Sequence, residues 1–231
     1  MRKGEQTKRA ILDAAIELAS SRGLEGLTIG DLAERMNMSK SGVFAHCGSR
    51  EELQIAVLRE YESRFIDDIL KPSVLESRGL NRLRAILKRW LARAAAEALH
   101  GCIMISGAAE YDDRPGPVRD ELVRMVRSWQ AEVGKAISQC KASGELIAEL
   151  DEADLCFELF GLVFAVHHDA RLLRNPGSLG QAERAIERLI NSYSTQPGLA
   201  PSASANPKSS NPTDSQRPTV SLASDSNPKT Q

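Results

Sequence analysis

The chain has 231 residues, of which 42 % are apolar, 26 % charged and only 4 % aromatic, the balance of a soluble helical protein of one large or two small domains. No apolar run approaches the ~20 residues that cross a bilayer, so no membrane partner is expected. Thirty basic against 31 acidic residues give a net charge of -1, so any basic surface for nucleic acid has to be local.

Hydrophobic spacing predicts helices from end to end. Residues 6–22 place Ile11, Leu12, Ala15, Ile16 and Ala19 on one helical face, and Gly23 stops that helix. Thr28 caps a second helix with Asp31 three positions on, and Ser39 opens a short third. Ser49-Arg50-Glu51-Glu52 is a capping-box pattern that opens a fourth helix, running to about Leu70. Pro72 and Gly79 bracket a connection to a fifth helix over residues 80–99, and residues 102–111 suit a short sixth. After Pro115-Gly116-Pro117 a long helix reaches about Ser143, with Gly144 ending it. Asp151 and Ser178 are the expected caps of the last two helices. No segment alternates with period two, so the fold class is all-α. From Thr195 onward the chain holds six of its ten prolines and almost no large apolar residue, the composition of a disordered tail.

The strongest local signal lies in residues 28–53. Two short helices meet at Met36-Asn37-Met38, a turn of helix-turn-helix length, with Leu32, Met36, Met38 and Val43 in the angle between them. Ala33 is small where the helices approach. Asn37 stands where a left-handed backbone is needed. The third helix then presents Lys40, Ser41 and Gly42 at the end that reaches base edges in a major groove. Gly42 costs ~1 kcal/mol relative to Ala inside a helix, which close approach to DNA or close helix packing explains. Backbone N–H groups near Thr28, Ser39 and Ser49 are natural phosphate sites, Arg50 adds a cation beside the last, and Arg2, Lys3, Lys8 and Arg9 form a basic arm ahead of the motif.

On these residues the sequence resembles the TetR family of bacterial regulators. The stretches KRAILDAAIELASSRG and LTIGDLAERMNMSKSGVFAHCGSREEL follow the family pattern over about residues 7–53, and a weaker likeness continues to about residue 193. The resemblance implies an N-terminal three-helix DNA-binding domain (1–50) and a larger ligand-binding and dimerisation domain of about five to six helices (51–194), with residues 195–231 as the tail. It also implies DNA contacts from Thr28, Ser39, Lys40, Phe44, His46 and Arg50. Two positions depart from the pattern: Phe44 stands where the family usually has Tyr, and Cys47 where it usually has Phe. Cys47 is then expected as a small core residue.

One helix-turn-helix makes few base contacts, so a homodimer on a palindromic double-stranded operator is expected. The last two helices carry more apolar surface than one bundle face uses and suit an isologous four-helix interface. A small-molecule effector among helices five to eight would meet Trp90, Cys102, Met104, Glu110, Trp129, Phe160 and His167. Repression is the expected direction, because a bound dimer blocks polymerase without any further contact surface.

An enzyme is not expected: the sequence has no nucleophile elbow, Gly-rich phosphate loop or HExxH, and no cofactor is implied. His100 with Cys102 and His167-His168-Asp169 invite a metal reading, but adjacent helical histidines point about 100° apart and one site would use only one of them. A pure interaction module would carry a neutral or acidic third helix, whereas this one carries Lys40. The four cysteines (Cys47, Cys102, Cys140, Cys156) form no CxxC pair and the start MRKGEQTKRA has no apolar signal core, so a cytoplasmic chain with reduced thiols is expected.

Overall fold

The structure is a computed structural model that describes residues 3–195, so Arg2 and the expected tail beyond Thr195 lie outside the described residues. Those residues fold into α1 (Lys3–Arg22), α2 (Ile29–Arg35), α3 (Lys40–Cys47), α4 (Arg50–Ser73), α5 (Leu80–His100), α6 (Ile103–Tyr111), α7 (Pro117–Ala142), α8 (Glu152–Arg171) and α9 (Ser178–Tyr193). The fold is all-α. The departure from helix among them is a single antiparallel bridge, Leu146 to Ser194, which ties the α7–α8 turn to the end of α9.

α1, α2 and α3 make a small layer around Ile11, Ala15, Leu32, Ala33 and Val43, all buried. The caps are local. Thr28 Oγ1 accepts the Asp31 N–H at 3.0 Å, Ser39 Oγ accepts from Gly42 at 3.0 Å, and Ser49 with Glu52 forms the reciprocal capping box. Between α2 and α3 the chain reverses at Asn37, whose φ is +52°. The Asn37 N–H donates to Glu34 O and the Met38 N–H to Ala33 O, a Schellman closure with Asn in the left-handed position usually held by Gly. Met36 and Met38 are only half-buried, so the angle between the helices is filled chiefly by Leu32, Ala33 and Val43.

α4 runs unbroken from this layer into the bundle, and residue 50, the expected domain boundary, is its first residue. It extends past Leu70 through Pro72 to Ser73. A proline in the last turn removes one bond, to the carbonyl of Asp68, and that residue faces solvent; Val74 N–H still donates to Leu70 O at 3.0 Å and Ser73 Oγ to Ile69 O at 2.6 Å. α4 is fixed to α7 by Arg59, whose Nε and Nη2 each donate at 3.1 Å to the buried Glu121 carboxylate. α5 packs along α8, and α8 along α9. Two expected features differ. α1 begins at Lys3, so Lys3, Lys8 and Arg9 lie on a helix and not on an extended arm. Ser178 does not cap α9: Gly177 occupies the cap position, while Ser178 is buried and donates to Asn175 O at 3.0 Å.

Candidate nucleic-acid interface

The reading end of α3 is open. Ser39, Lys40 and Ser41 are exposed, and Gly42 is half-buried beneath them. The Ser39 hydroxyl caps Gly42 N–H and lies 3.1 Å from the Ser41 hydroxyl, and among the described residues the backbone N–H groups of Lys40 and Ser41 have no cap partner at the helix start. A Cβ at Gly42 would sit 3.2 Å from Ser39 Oγ, so the glycine gives the capping hydroxyl its room. Packing against the cap, independent of DNA, thus explains the residue.

Lys40 does not point freely outward. It lies along the first turn of α2, where a Cβ at Gly30 would be 3.4 Å from its Cε and 3.7 Å from its Nζ. Its ammonium therefore adds charge beside the start of α2, next to Thr28. Gly30 went unnoticed in the sequence, and a glycine in a first helical turn was its only signal. Phe44 is 56 % exposed on the same helix, and His46 is half-buried in its last turn. Cys47 is buried against the core with its thiol pushed up by burial, the position of a packing residue.

The other two expected phosphate sites are partly used up within the protein. The Thr28 hydroxyl donates to Asp31 Oδ2 at 2.8 Å while accepting from Asp31 N–H. At α4 the Ser49 N–H donates to Glu52 Oε2 at 2.7 Å, and this backbone donor holds the Glu52 carboxyl below the ordinary carboxylate range. Arg50 is placed differently from expectation. Its Nε donates to Leu27 O at 3.0 Å, its Nη2 to Glu25 O, and it pairs with the Glu25 carboxylate at 3.2 Å. Arg50 braces the α1–α2 loop, because three acceptors of that loop converge on its guanidinium.

That loop is also gripped by α6. Tyr111 Oη donates to Glu25 Oε2 at 2.8 Å and accepts from Gln54 Nε2 at 2.9 Å, while Gln54 also donates to Leu24 O at 2.8 Å. The Tyr111 hydroxyl, first, and then Arg50 and Arg114 hold the Glu25 carboxyl below its ordinary value; burial, and then Glu25 itself, push Tyr111 up to about 12. Glu110 accepts the Glu25 N–H at 2.7 Å, and its carboxylate fills the space where a Cβ at Gly23 would stand. Gly23 also needs its φ of +83°. At the other end of α6, Gly101 (φ +107°) brings the backbone against α1 so closely that a Cβ would lie 1.9 Å from Ser20 O. The α5–α6 junction thus seats on the end of α1, and the far end of α6 on the loop after it. Sequence reasoning missed Gln54, Tyr111 and Gly101, and it placed Glu110 in a ligand pocket where the structure places it in this seam.

The remaining ligand candidates sit in the bundle interior. Trp90, Trp129 and Phe160 pack edge to face, at 5.2 Å for Trp90–Trp129 and 4.6 Å for Trp90–Phe160, and Phe65 meets Trp129 at 4.8 Å. Met104 and Trp129 border a hollow of about 20 Å³ between α4, α6 and α7, room for about one water. Cys102 is buried with its Sγ 3.4 Å from Tyr61 Oη, and burial pushes its thiol up to about 12. His100 is exposed. His167 is buried, desolvation lowers its pKa below the ordinary imidazole value, and among the described residues its Nε2 and the Nε1 of Trp129 have no hydrogen-bond partner. The interior is therefore packed, with two unused polar atoms in its walls.

Comparison with known proteins matches this architecture at both ends. Residues 11–57 match the family described as bacterial regulatory proteins, tetR family, and residues 79–186 match the tetracyclin repressor-like C-terminal domain. A curated relative, the biofilm operon icaADBC HTH-type negative transcriptional regulator IcaR of Staphylococcus epidermidis, is 31 % identical over 64 residues, which is 28 % of this chain and 35 % of that one. The match thus spans about a third of the relative's length. A TetR transcriptional regulator of Chloroflexus aurantiacus superposes with a TM-score of 0.77 at 21 % identity, covering 84 % of this chain and 98 % of that one. AibR, solved in complex with isovaleryl coenzyme A and operator DNA, superposes with a TM-score of 0.62 at 21 % identity over 83 % and 99 % of the two chains. No helix among the described residues is long and apolar enough to cross a membrane. A helix-turn-helix closed by Asn37, a reading end at Lys40 and a helical bundle seated on it through α6 are the parts of a TetR-family DNA-binding transcriptional regulator, and the chain belongs to that family.

Proposed function

We propose that the chain is a homodimeric repressor that binds a palindromic operator and leaves it when a small molecule binds the bundle. The observation that carries the DNA-reading part is the open start of α3, where Ser39, Lys40 and Ser41 are exposed on a helix pinned by α1 and α2. In this reading the Lys40 side chain swings from its rest along α2 and, with Ser41, meets base edges, while Ser39 and the helix start meet phosphate. Phe44 offers an apolar contact in place of the family's usual hydroxyl, and His46 a donor near the end of the helix. That the relative IcaR is a negative transcriptional regulator supports repression.

Dimerisation rests on α8 and α9. Phe157 is 80 % exposed and Phe164 45 %, and with Gly161 between them they make a stripe at helical spacing on α8. The same face continues into a concavity of about 660 Å³ between α8 and α9, lined by Leu162, Ala165, Gln181 and Ala185. A second copy with the same stripe covers it in an isologous four-helix arrangement, which removes the exposed phenyl rings from water.

Release rests on α6. A ligand that parts the aromatic packing at Trp90, Trp129 and Phe160 and satisfies the free Trp129 Nε1 or His167 Nε2 displaces α6. That displacement is felt at Glu25, because Glu110 and Tyr111 hold it. Only differential affinity for the two arrangements shifts the equilibrium. AibR, similar in fold, is seen with isovaleryl coenzyme A and operator DNA together, which supports the reading that a chain of this fold takes both kinds of partner.

Selection of bound duplexes from a randomised pool, paired with sedimentation of the protein, tests the proposal. The expected result is a dimer and a palindromic site with half-sites about one helical turn or a multiple apart. A monomer that selects a site without symmetry would overturn it.

A further inference from the structure

Outside the packed interior, a groove of about 320 Å³ runs between the end of α6 and α7, within the size range of small-molecule sites. Its walls are Leu122, Val123 and Val126 of α7 and Ala108 of α6, with Tyr111 at one side. Two cations border it. Arg119 donates through Nε to the Asp112 carbonyl at 3.0 Å and forms no ion pair among the described residues. Arg127 is exposed and has neither an ion pair nor a hydrogen bond among the described residues. The one carboxylate in the lining, Asp112, accepts the Asp113 N–H at 2.8 Å. The groove therefore combines an apolar wall with a surplus of positive charge held on guanidinium forks.

We propose that this groove binds a small amphipathic anion, a carboxylic acid with an apolar body of several carbons. The body lies on Leu122, Val123 and Val126, and the carboxylate takes the parallel N–H donors of Arg127 and a free N–H of Arg119. A neutral ligand leaves the two cations without gain, and an organic cation is repelled. A protein partner is a poor fit, because the groove offers far less than the roughly 800 Å² per side of a stable interface. The site differs from the bundle interior in place and in charge: its walls are outer faces of α6 and α7, and none of Trp90, Trp129 or Phe160 lines it.

Its position gives it a consequence. Tyr111 forms one wall of the groove and through its hydroxyl also holds Glu25 and Gln54. A carboxylate bound there presses on the residue that ties α6 to the α1–α2 loop, so the groove is a second entry point to the DNA-reading head. This consequence rests on the regulator reading above; the binding itself does not.

Titration calorimetry of the full chain with octanoate, octan-1-ol and octylamine tests the proposal. Saturable binding of octanoate is expected, with octan-1-ol roughly tenfold weaker or more for want of the charge-assisted bonds. Arg127→Glu should weaken octanoate by at least about tenfold while the thermal unfolding curve stays unchanged, since the residue is exposed, and Arg127→Lys should lose less. Equal binding of the three probes, or no saturable binding of octanoate, overturns the groove assignment. Octanoate binding that ignores Arg127→Glu also overturns it, and places the ligand in the interior instead, leaving the proposed release mechanism standing. Octanoate affinity that falls as protein concentration rises overturns it in favour of a second copy in the groove.

Discussion

In the DNA-reading head the contacts that set function are local, whereas in the bundle and its seam they are remote. Thr28 meets Asp31, Ser39 meets Gly42 and Ser49 meets Glu52, each within three residues. Tyr111 meets Glu25 across 86 residues, Gln54 meets Tyr111 across 57, and Arg84 meets Glu187 across 103. The helix caps of the head close on themselves and do not depend on the bundle. A seam built from remote ones changes when the bundle does, which is the division of labour a switch needs. It also means that the two kinds of residue should respond differently to substitution.

The largest effect is expected at the seam. Gly101→Ala forces a Cβ into Ser20 O and keeps a left-handed backbone, and should cost roughly 2–4 kcal/mol, read as a lower urea midpoint with unchanged slope. A near-neutral result would mean that the α5–α6 junction is not pressed on α1. Tyr111→Phe removes the hydroxyl from Glu25 and Gln54 and should cost about 1–2 kcal/mol. Its signature is faster hydrogen exchange in the α1–α2 loop with no change in the bundle core, whereas uniform acceleration would make Tyr111 an ordinary core residue.

Smaller effects sharpen the contrast from the other side. Ser39→Ala should cost about 1 kcal/mol by leaving the Gly42 N–H without its cap, and hydrogen exchange should change in α3 alone. Spread of that change to α6 would show that the head is not locally closed. The smallest effect is expected from pH. Glu25 has a lowered pKa in the folded state, so its contribution is present above the ordinary 4.5 and fades as pH falls below it. Tyr111 has a raised one, so its contribution is whole below 10 and fades as pH rises toward about 12. Urea midpoints measured across pH should lose the alkaline component in Tyr111→Phe and shrink the acid one. An unchanged profile would remove the Glu25–Tyr111 pair from the seam.

The same contrast decides what the sequence reveals. Asn37, Thr28, Ser39 and Ser49 were legible because each acts on a neighbour along the chain, and the caps they imply are the caps observed. The helical periodicity of the bundle was legible for the same reason. The bracing role of Arg50 was not legible, because a cation at a helix start looks alike whether it faces phosphate or a loop folded back from Glu25. The place of Glu110 in the seam was not legible, because nothing near it in sequence shows that Gly23 lies beneath. Pro72 read as a stop, although a proline in a last turn deletes only one bond. Trp90, Trp129 and Phe160 were expected to line a ligand pocket, and the sequence did not show how closely they pack against one another.

The claim on which the account most depends is that Lys40 at the start of α3 contacts operator DNA. Titrating the selected operator with the wild-type chain and with Lys40→Ala, over a range of salt concentrations, tests it most directly. The account predicts that Lys40→Ala binds about tenfold or more weakly, with a shallower salt dependence if the ammonium meets phosphate and relaxed preference at one base position if it meets guanine. The dimer should be unchanged in sedimentation. Equal affinity and an equal salt slope in the two proteins would contradict it.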